Sequence, residues 1–533
     1  MSFKKVALVS AVIVVLAVSH VGLISNQCES HDCECAQPEE AEPFINENPL
    51  VPPDPAKVQR KEWFLQKYRN VYGYNGTLER LRHDEFKYLK SEIYLDFTGS
   101  GLYQLKQIDK VHKALQENLY GNAHSRSAPA LRTEHEIHSA RKAILDFYNA
   151  KSSEYASIFT SGSTGAMKLL SDTFPWDKQS HFVYLKDNHN SVLAIRAKAQ
   201  EKGGRFTSIS EDDVVAILRG EKPPLNSSAE GMHLFAFPAE SNFSGRKYPL
   251  EWIKKVQEGA LGPGKWFVFL DSAAYVPTNE LDIGKYKPDF FCMSFYKMFG
   301  FPTGLGALMV KRESGNMLNK IFWGGGTVVF SACDTNTCQP VPRLEERFED
   351  GTVAFLDILS INYGFSVINE LGIKNIQSHT WALREYAYHN LTELRHSTGQ
   401  RVIEIVGSDN PNLQGGILTF HVVRPDGEYL GFREVSKYFE RKDIHIRSGC
   451  HCNPGGCTSF CGLTDEQFLD LATSRTSCGD DTDLLDGKPL GAIRMSVGYP
   501  TTFEDIDAFL SLVSDTFIDY KSAKQQSFED FFV

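Results

Sequence analysis

The sequence predicts an α/β protein built on a large, mostly parallel sheet, followed by a smaller α/β domain. Three observations carry that prediction. Short apolar runs alternate with stretches of helical spacing, the pattern of strands covered by helices on both faces. Several runs end on small or chemically distinctive residues, and in such sheets ligands gather at the carboxyl ends of strands. A chain of 533 residues, 42% apolar and 23% charged, holds more material than one ordinary core takes up.

In chain order, Lys4 and Lys5 precede an uncharged run from Val6 to Ile24. As a helix rising about 1.5 Å per residue, this run would just cross a hydrocarbon core of about 30 Å. Residues 1–25 therefore read as an uncleaved, single-pass membrane anchor, with a cleaved signal peptide as the competing reading. The length of the run and the poor cleavage site at Gly22-Leu23-Ile24-Ser25 favour the anchor. The lysines would keep the N-terminus cytoplasmic, while the side of the membrane that holds the catalytic domain stays open. Residues 26–57, acidic and rich in proline, read as a tether. Residues 58–91 are expected to form a helical segment packing on the small domain.

Ile93 to Phe97 is a short strand ending at Gly99 and Gly101. Helical spacing follows from about Leu105 to Tyr120 and from about Ala130 to Tyr148, where Ile137, Ala140, Ile144 and Phe147 share a face. Ala156 to Thr160 is a strand, and Gly162-Ser163-Thr164-Gly165 leads into a helix through Thr173. His181 to Leu185, Leu234 to Phe237, Trp266 to Leu270, Phe290 to Met293 and Gly306 to Val310 read as buried parallel strands. The large domain is expected over 92–370 and the small one over 371–533.

A net charge of −11 argues against nucleic-acid binding, which needs a basic face. Eleven cysteines are too few for a disulfide scaffold, yet Cys450, Cys452, Cys457 and Cys461 crowd one loop. Four thiolates could hold zinc. The Cys450–Cys452 spacing is tighter than in usual structural zinc sites, so no metal is expected. A disulfide among them is a further alternative if the domain is lumenal.

Three strand ends carry the chemistry. Small residues at Thr160–Gly165 let backbone N–H groups approach an anion at a helix N-terminus. Asp271 ends an apolar strand, and a buried carboxylate needs a cationic partner such as a protonated pyridine nitrogen. Lys297 follows another apolar strand and is a candidate Schiff-base amine, with Gly300, Gly304 and Gly306 permitting close backbone approach. Any one of these is unremarkable. Together, in this order, they point to pyridoxal phosphate held on Lys297.

Longer strings carry a family resemblance. They are Tyr120-Gly121-Asn122-Ala123-His124-Ser125, Phe237-Pro238-Ala239-Glu240-Ser241-Asn242-Phe243-Ser244-Gly245, and the stretch from Phe295 to Gly304. Arg347-Phe348-Glu349-Asp350-Gly351-Thr352, Arg447-Ser448-Gly449-Cys450-His451-Cys452-Asn453 and Cys478-Gly479-Asp480 continue the series. From about Glu92 to Val513 the chain resembles the class V aminotransferases, specifically the cysteine desulfurases. Within them it is similar to the N-terminal desulfurase-like domain of eukaryotic molybdenum cofactor sulfurases.

The resemblance implies the pyridoxal-phosphate-dependent transferase fold (fold type I) and removal of sulfur from L-cysteine, giving alanine and an enzyme persulfide. It assigns the cofactor linkage and proton shuttling to Lys297 and the pyridinium to Asp271. It places His189 on the ring, Asn242 near the ring hydroxyl, and Ser163, Thr164 and Ser294 on the phosphate. Tyr296 stands where the family usually has histidine, so one phosphate hydrogen bond would come from a phenol. Gly326 and Thr352 would reach the neighbouring subunit's phosphate, which implies a homodimer. Arg494 would clamp the substrate carboxylate, and Cys452 would be the nucleophile that takes the sulfur. Only about one helix of sequence follows residue 515, so the further molybdenum-cofactor-binding domain of those sulfurases is expected to be absent and the sulfur acceptor is unknown. Alternatives are a selenocysteine lyase, another class V lyase, or a membrane-tethered interaction protein without turnover.

Overall fold

The structure, a computed structural model, describes residues 55–474 and 482–521. The apolar segment 6–24, the acidic stretch as far as residue 54, and Cys478-Gly479-Asp480 lie outside them. Among the described residues no helix is long and apolar enough to cross a membrane.

A short strand, β1 (Ile93–Tyr94), precedes the principal sheet. That sheet comprises β2 (Tyr155–Thr160), β3 (His181–Leu185), β4 (Arg205–Ile209), β5 (Met232–Pro238), β6 (Lys265–Asp271), β7 (Phe290–Ser294) and β8 (Gly306–Lys311). Their spatial order is β2-β8-β7-β6-β5-β3-β4. Strands β3 to β7 pair in parallel. Of the two remaining strands, β8 is antiparallel to both β7 and β2, which corrects the expectation of a parallel strand at Gly306 to Val310. The cause is the connection. A parallel partner needs a crossover of a dozen or more residues, and the stretch 295–305 is too short for one. The edge strand β4 was hidden from the sequence pattern because its residues are mostly polar and partly exposed.

Successive side chains alternate between the two faces of the sheet, and each face has its own helical cover. Phe235, Val268 and Phe291 pack with Ile137 and Ile144 of the helix Ala128–Phe147 and with Ile358 and Ile361 of the helix Phe355–Leu371. Leu234, Phe269 and Phe182 pack instead with Ala166, Met167 and Leu170 of the helix Gly162–Thr173.

A hairpin, β9 (Val328–Ser331) and β10 (Cys338–Pro340), follows the principal sheet. The second sheet is antiparallel and contains β11 (Ile403–Val406), β12 (Ile417–Val423) and β13 (Tyr429–Leu430). After β14 (Ile444–His445) come β15 (Arg447–Gly449), the hairpin of β16 (Leu484–Leu485) and β17 (Lys488–Pro489), and β18 (Ala492–Ser496). The order is β11-β12-β18-β15, with β13 on β12. Strand β1 pairs in parallel with β14, so the start of the large-domain region is stitched to the second sheet. The segment 55–90 packs there too. Arg60 makes a bidentate pair with Asp507 at 2.7 and 2.9 Å, Arg82 pairs with Asp505, and Gly73 N–H donates to His379 Nδ1 at 3.3 Å.

Candidate active site

Strand β7 runs directly into the short helix Phe295–Phe299, which carries Lys297. Gly300 ends that helix at φ +77°, where a Cβ would lie 2.3 Å from the Tyr103 nitrogen, so only glycine fits. Lys297 Nζ makes no hydrogen bond among the described residues. Burial pulls its pKa down, the Asp271 carboxylate opposes that shift, and the Arg494 guanidinium adds to it. A lysine amine so depressed is kept available as a nucleophile.

Asp271 closes β6 and is 7% exposed. Its Oδ1 accepts from Ala273 N–H at 3.1 Å and from the Cys292 thiol at 3.6 Å. Burial, then the Asp271 charge, pushes the Cys292 thiol well up, so it remains a donor. Oδ2 takes no hydrogen bond from the described residues. His189 caps the short helix Asn190–Leu193, its Nδ1 accepting from Ser191 N–H at 3.1 Å, which places the proton of the neutral ring on Nε2. Burial lowers its pKa, against the pull of Asp271.

Hydroxyls ring the start of the helix Gly162–Thr173. Ser294 Oγ accepts from Ser163 N–H at 2.9 Å and lies 2.9 Å from Ser163 Oγ. Thr164 Oγ1 and Ser191 Oγ are also 2.9 Å apart. Gly162, at φ +72°, makes the turn.

Arg494, on β18, is 2% exposed. Nη1 donates to the Asn242 carbonyl at 2.7 Å and Nη2 to Asp96 at 2.7 Å, while Nε is buried with no partner among the described residues. Burial lowers its pKa and Asp96 counters this. Arg447, opposite Arg494 across β15 and β18, comes within 3.7 Å of the same Asp96. Tyr296 was expected at the phosphate. The charged groups acting on its phenol are Arg447 and Asp96, and no hydrogen bond among the described residues joins it to the hydroxyl ring.

The cysteine loop docks on this cradle. His451 and Cys452 both have left-handed backbones, at φ +54° and +56°. Asn242 Nδ2 donates to the His451 carbonyl at 2.7 Å, and Asn190 N–H to the Cys452 carbonyl at 2.8 Å. The Cys452 thiol is exposed. Cys450 and Cys457 form a disulfide, and Cys461 is buried 3.8 Å from His421 Nε2, so the four cysteines do not share one centre. Among the described residues no cluster of His, Cys, Asp and Glu is arranged to hold a metal ion.

Gly326 and Thr352 come together elsewhere. They line a cavity of about 220 Å³ with His124 and Arg141, sharing no lining residue with the small cavity beside Lys297.

The residue pattern alone does not single out Asp187, Asn453, Asp96, Arg447 or Ser191. Asp187 accepts from Asn453 Nδ2 at 2.6 Å, Ser241 Oγ at 2.7 Å and Tyr248 Oη at 2.8 Å, fastening the cysteine loop to the end of β3. The available signal was its place: it closely follows a fully buried strand, as Asp271 ends another mostly buried one.

These groups fit pyridoxal phosphate. Among the described residues Lys297 offers an amine without a hydrogen bond, Asp271 a carboxylate oxygen without one, His189 a neutral ring, and Ser163, Thr164 and Ser294 a hydroxyl-lined anion cradle.

Residues 93–509 match the family described as Aminotransferase class-V. The chain is 39% identical over 489 residues to the molybdenum cofactor sulfurase of Solanum lycopersicum, covering 86% of this chain and 60% of that protein. For the Homo sapiens molybdenum cofactor sulfurase the identity is 38% over 464 residues, covering 84% and 52%. The chain thus spans little more than half the length of these relatives. An apo cysteine desulfurase from Thermococcus onnurineus NA1 superposes with a TM-score of 0.66 at 21% identity, covering 82% of this chain and 98% of that one. The Escherichia coli cysteine desulfurase CsdA gives 0.64 at 18%, with the same two coverages. From the match over 93–509 and the cradle around Lys297, the chain belongs to the class V aminotransferase family and its cofactor is pyridoxal phosphate.

Proposed function

We propose that this protein is a cysteine desulfurase of the molybdenum cofactor sulfurase type, which takes the sulfur of L-cysteine onto Cys452 and releases alanine. One observation carries the reading: the exposed Cys452 thiol sits on a loop pinned by Asn190 and Asn242 to the cofactor cradle.

When bound, pyridoxal phosphate supplies the electron sink that loosens the bond between the substrate's β-carbon and sulfur. Lys297 Nζ holds the cofactor and carries the α-proton. Asp271 keeps the ring-nitrogen proton in place, and the Ser163, Thr164 and Ser294 hydroxyls hold the phosphate. Arg494 receives the carboxylate, with its Nε–H unused by the described residues. The Cys452 thiolate attacks the substrate's sulfur, forming the S–S bond of the persulfide as the Cβ–S bond breaks, and the electron pair left with the β-carbon takes up a proton to give alanine.

The further parts of the reading are a homodimer in which Gly326 and Thr352 approach the partner's phosphate, membrane attachment through 6–24, and an acceptor of unknown identity. The test is to incubate the pyridoxal-phosphate-loaded protein with L-cysteine, measure alanine and sulfide, and map the persulfide by alkylation and mass spectrometry. Alanine should form and Cys452 should carry the label, while Cys452→Ala should bind L-cysteine yet release almost no alanine. A label on Cys450 or Cys457, or no alanine from the wild type, sinks the reading.

A further inference from the structure

His451, the residue before Cys452, is a polar group to which that reading gives no task. Its ring lies tilted against Phe243, with centroids 5.4 Å apart. Both Nδ1 and Nε2 are buried, and neither has a hydrogen-bond partner among the described residues. An imidazole always carries at least one N–H, and buried polar groups in folded proteins are nearly always satisfied. The ring is therefore suited to a partner that the described residues do not supply.

Its backbone is held in place. The His451 carbonyl is held by Asn242 Nδ2, and the next carbonyl by Asn190 N–H. Asn242 gives its own carbonyl to Arg494 Nη1 at 2.7 Å, so one asparagine fixes both His451 and the arginine assigned to the substrate carboxylate. Burial, with the Arg494 and Arg447 guanidiniums, holds the His451 pKa well below its ordinary value. The ring is neutral, with one N–H and one lone pair.

Resting on the desulfurase reading, we infer that His451 receives the thiol of the amino-acid substrate and selects for sulfur at the β-carbon. The substrate's three polar groups then each meet a protein group: the carboxylate at Arg494, the amine at Lys297 and the thiol at His451, beside the Cys452 that takes the sulfur. A neutral imidazole suits sulfur in either protonation state, because its N–H donates to a thiolate and its lone pair accepts from a thiol.

The test is a ligand titration in the Cys452→Ala background, where sulfur cannot leave, read by the change in cofactor absorbance. L-Cysteine is compared with L-alanine, which presents the same carboxylate and amine without the thiol. His451→Phe should weaken L-cysteine about tenfold, the loss of one hydrogen bond, and leave L-alanine within about twofold. His451→Leu is titrated alongside, in case the larger phenyl ring displaces the loop. Equal weakening of both ligands, or no weakening of L-cysteine, overturns the inference. The desulfurase reading is judged separately, on alanine release by the wild type.

Discussion

Asp271 has an asymmetry between its two oxygens: one accepts from Ala273 N–H and the Cys292 thiol, and the other takes nothing from the described residues. Asp271→Asn keeps an oxygen for Ala273 but removes the charge that pairs with a pyridinium. It should retain some cofactor while turnover falls at least about 100-fold, the range expected when a main electrostatic stabiliser is lost. Lys297→Ala should lose turnover altogether, and borohydride should no longer fix cofactor to the protein. Undiminished turnover in the first variant would mean that the carboxylate serves another purpose. Both residues were legible in the sequence because each polar group sits at or just past the end of an apolar run. Their supports were not. Asn453 reaches Asp187 across 266 residues and Arg494 reaches Asp96 across 398, and in a linear chain each of these looks like any solvated polar residue.

The segment 55–90 is held to the second sheet partly by a histidine that must stay neutral. His379 Nδ1 accepts from Gly73 N–H, and Nε2 faces the Thr501 carbonyl at 3.0 Å. Burial lowers its pKa to about 3, and burial lowers those of His181 and His421 to about 4. Below the ordinary histidine value of about 6.5, the unfolded chain gains protons that the folded chain refuses. The stability from these rings is therefore full above that pH and falls as pH drops toward 4, by up to about 1.4 kcal/mol per pH unit for each. Denaturant midpoints should fall between pH 7 and pH 5, and less steeply for His379→Gln. A midpoint that ignores pH over that interval would contradict this account. The elements themselves were readable wherever apolar runs were long, as in β3, β5, β6 and β7. The reversal of β8 was not, because a run of apolar residues has no direction until the length of its connection is considered.

Ile321 and Phe322 are 75% and 72% exposed, close in sequence to Gly326 and to the β9–β10 hairpin, where Val329 and Phe330 are also exposed. Large apolar side chains left bare in this way suit the proposed homodimer. Sedimentation should find twice the chain mass of 59.9 kDa. Phe322→Asp should shift the protein toward single chains and loosen its hold on the cofactor. A wild-type single chain at micromolar concentration would refute the proposal. The Cys450–Cys457 disulfide bears on how such an assembly hands over its sulfur. It brings the two Cα atoms to 5.1 Å and turns the intervening residues into a small covalent ring, with Cys452 two positions from one anchor. Two residues span at most about 7 Å even when fully extended. With the bond closed, Cys452 is less a swinging arm than a fixed wharf, and whatever collects the sulfur has to berth against it.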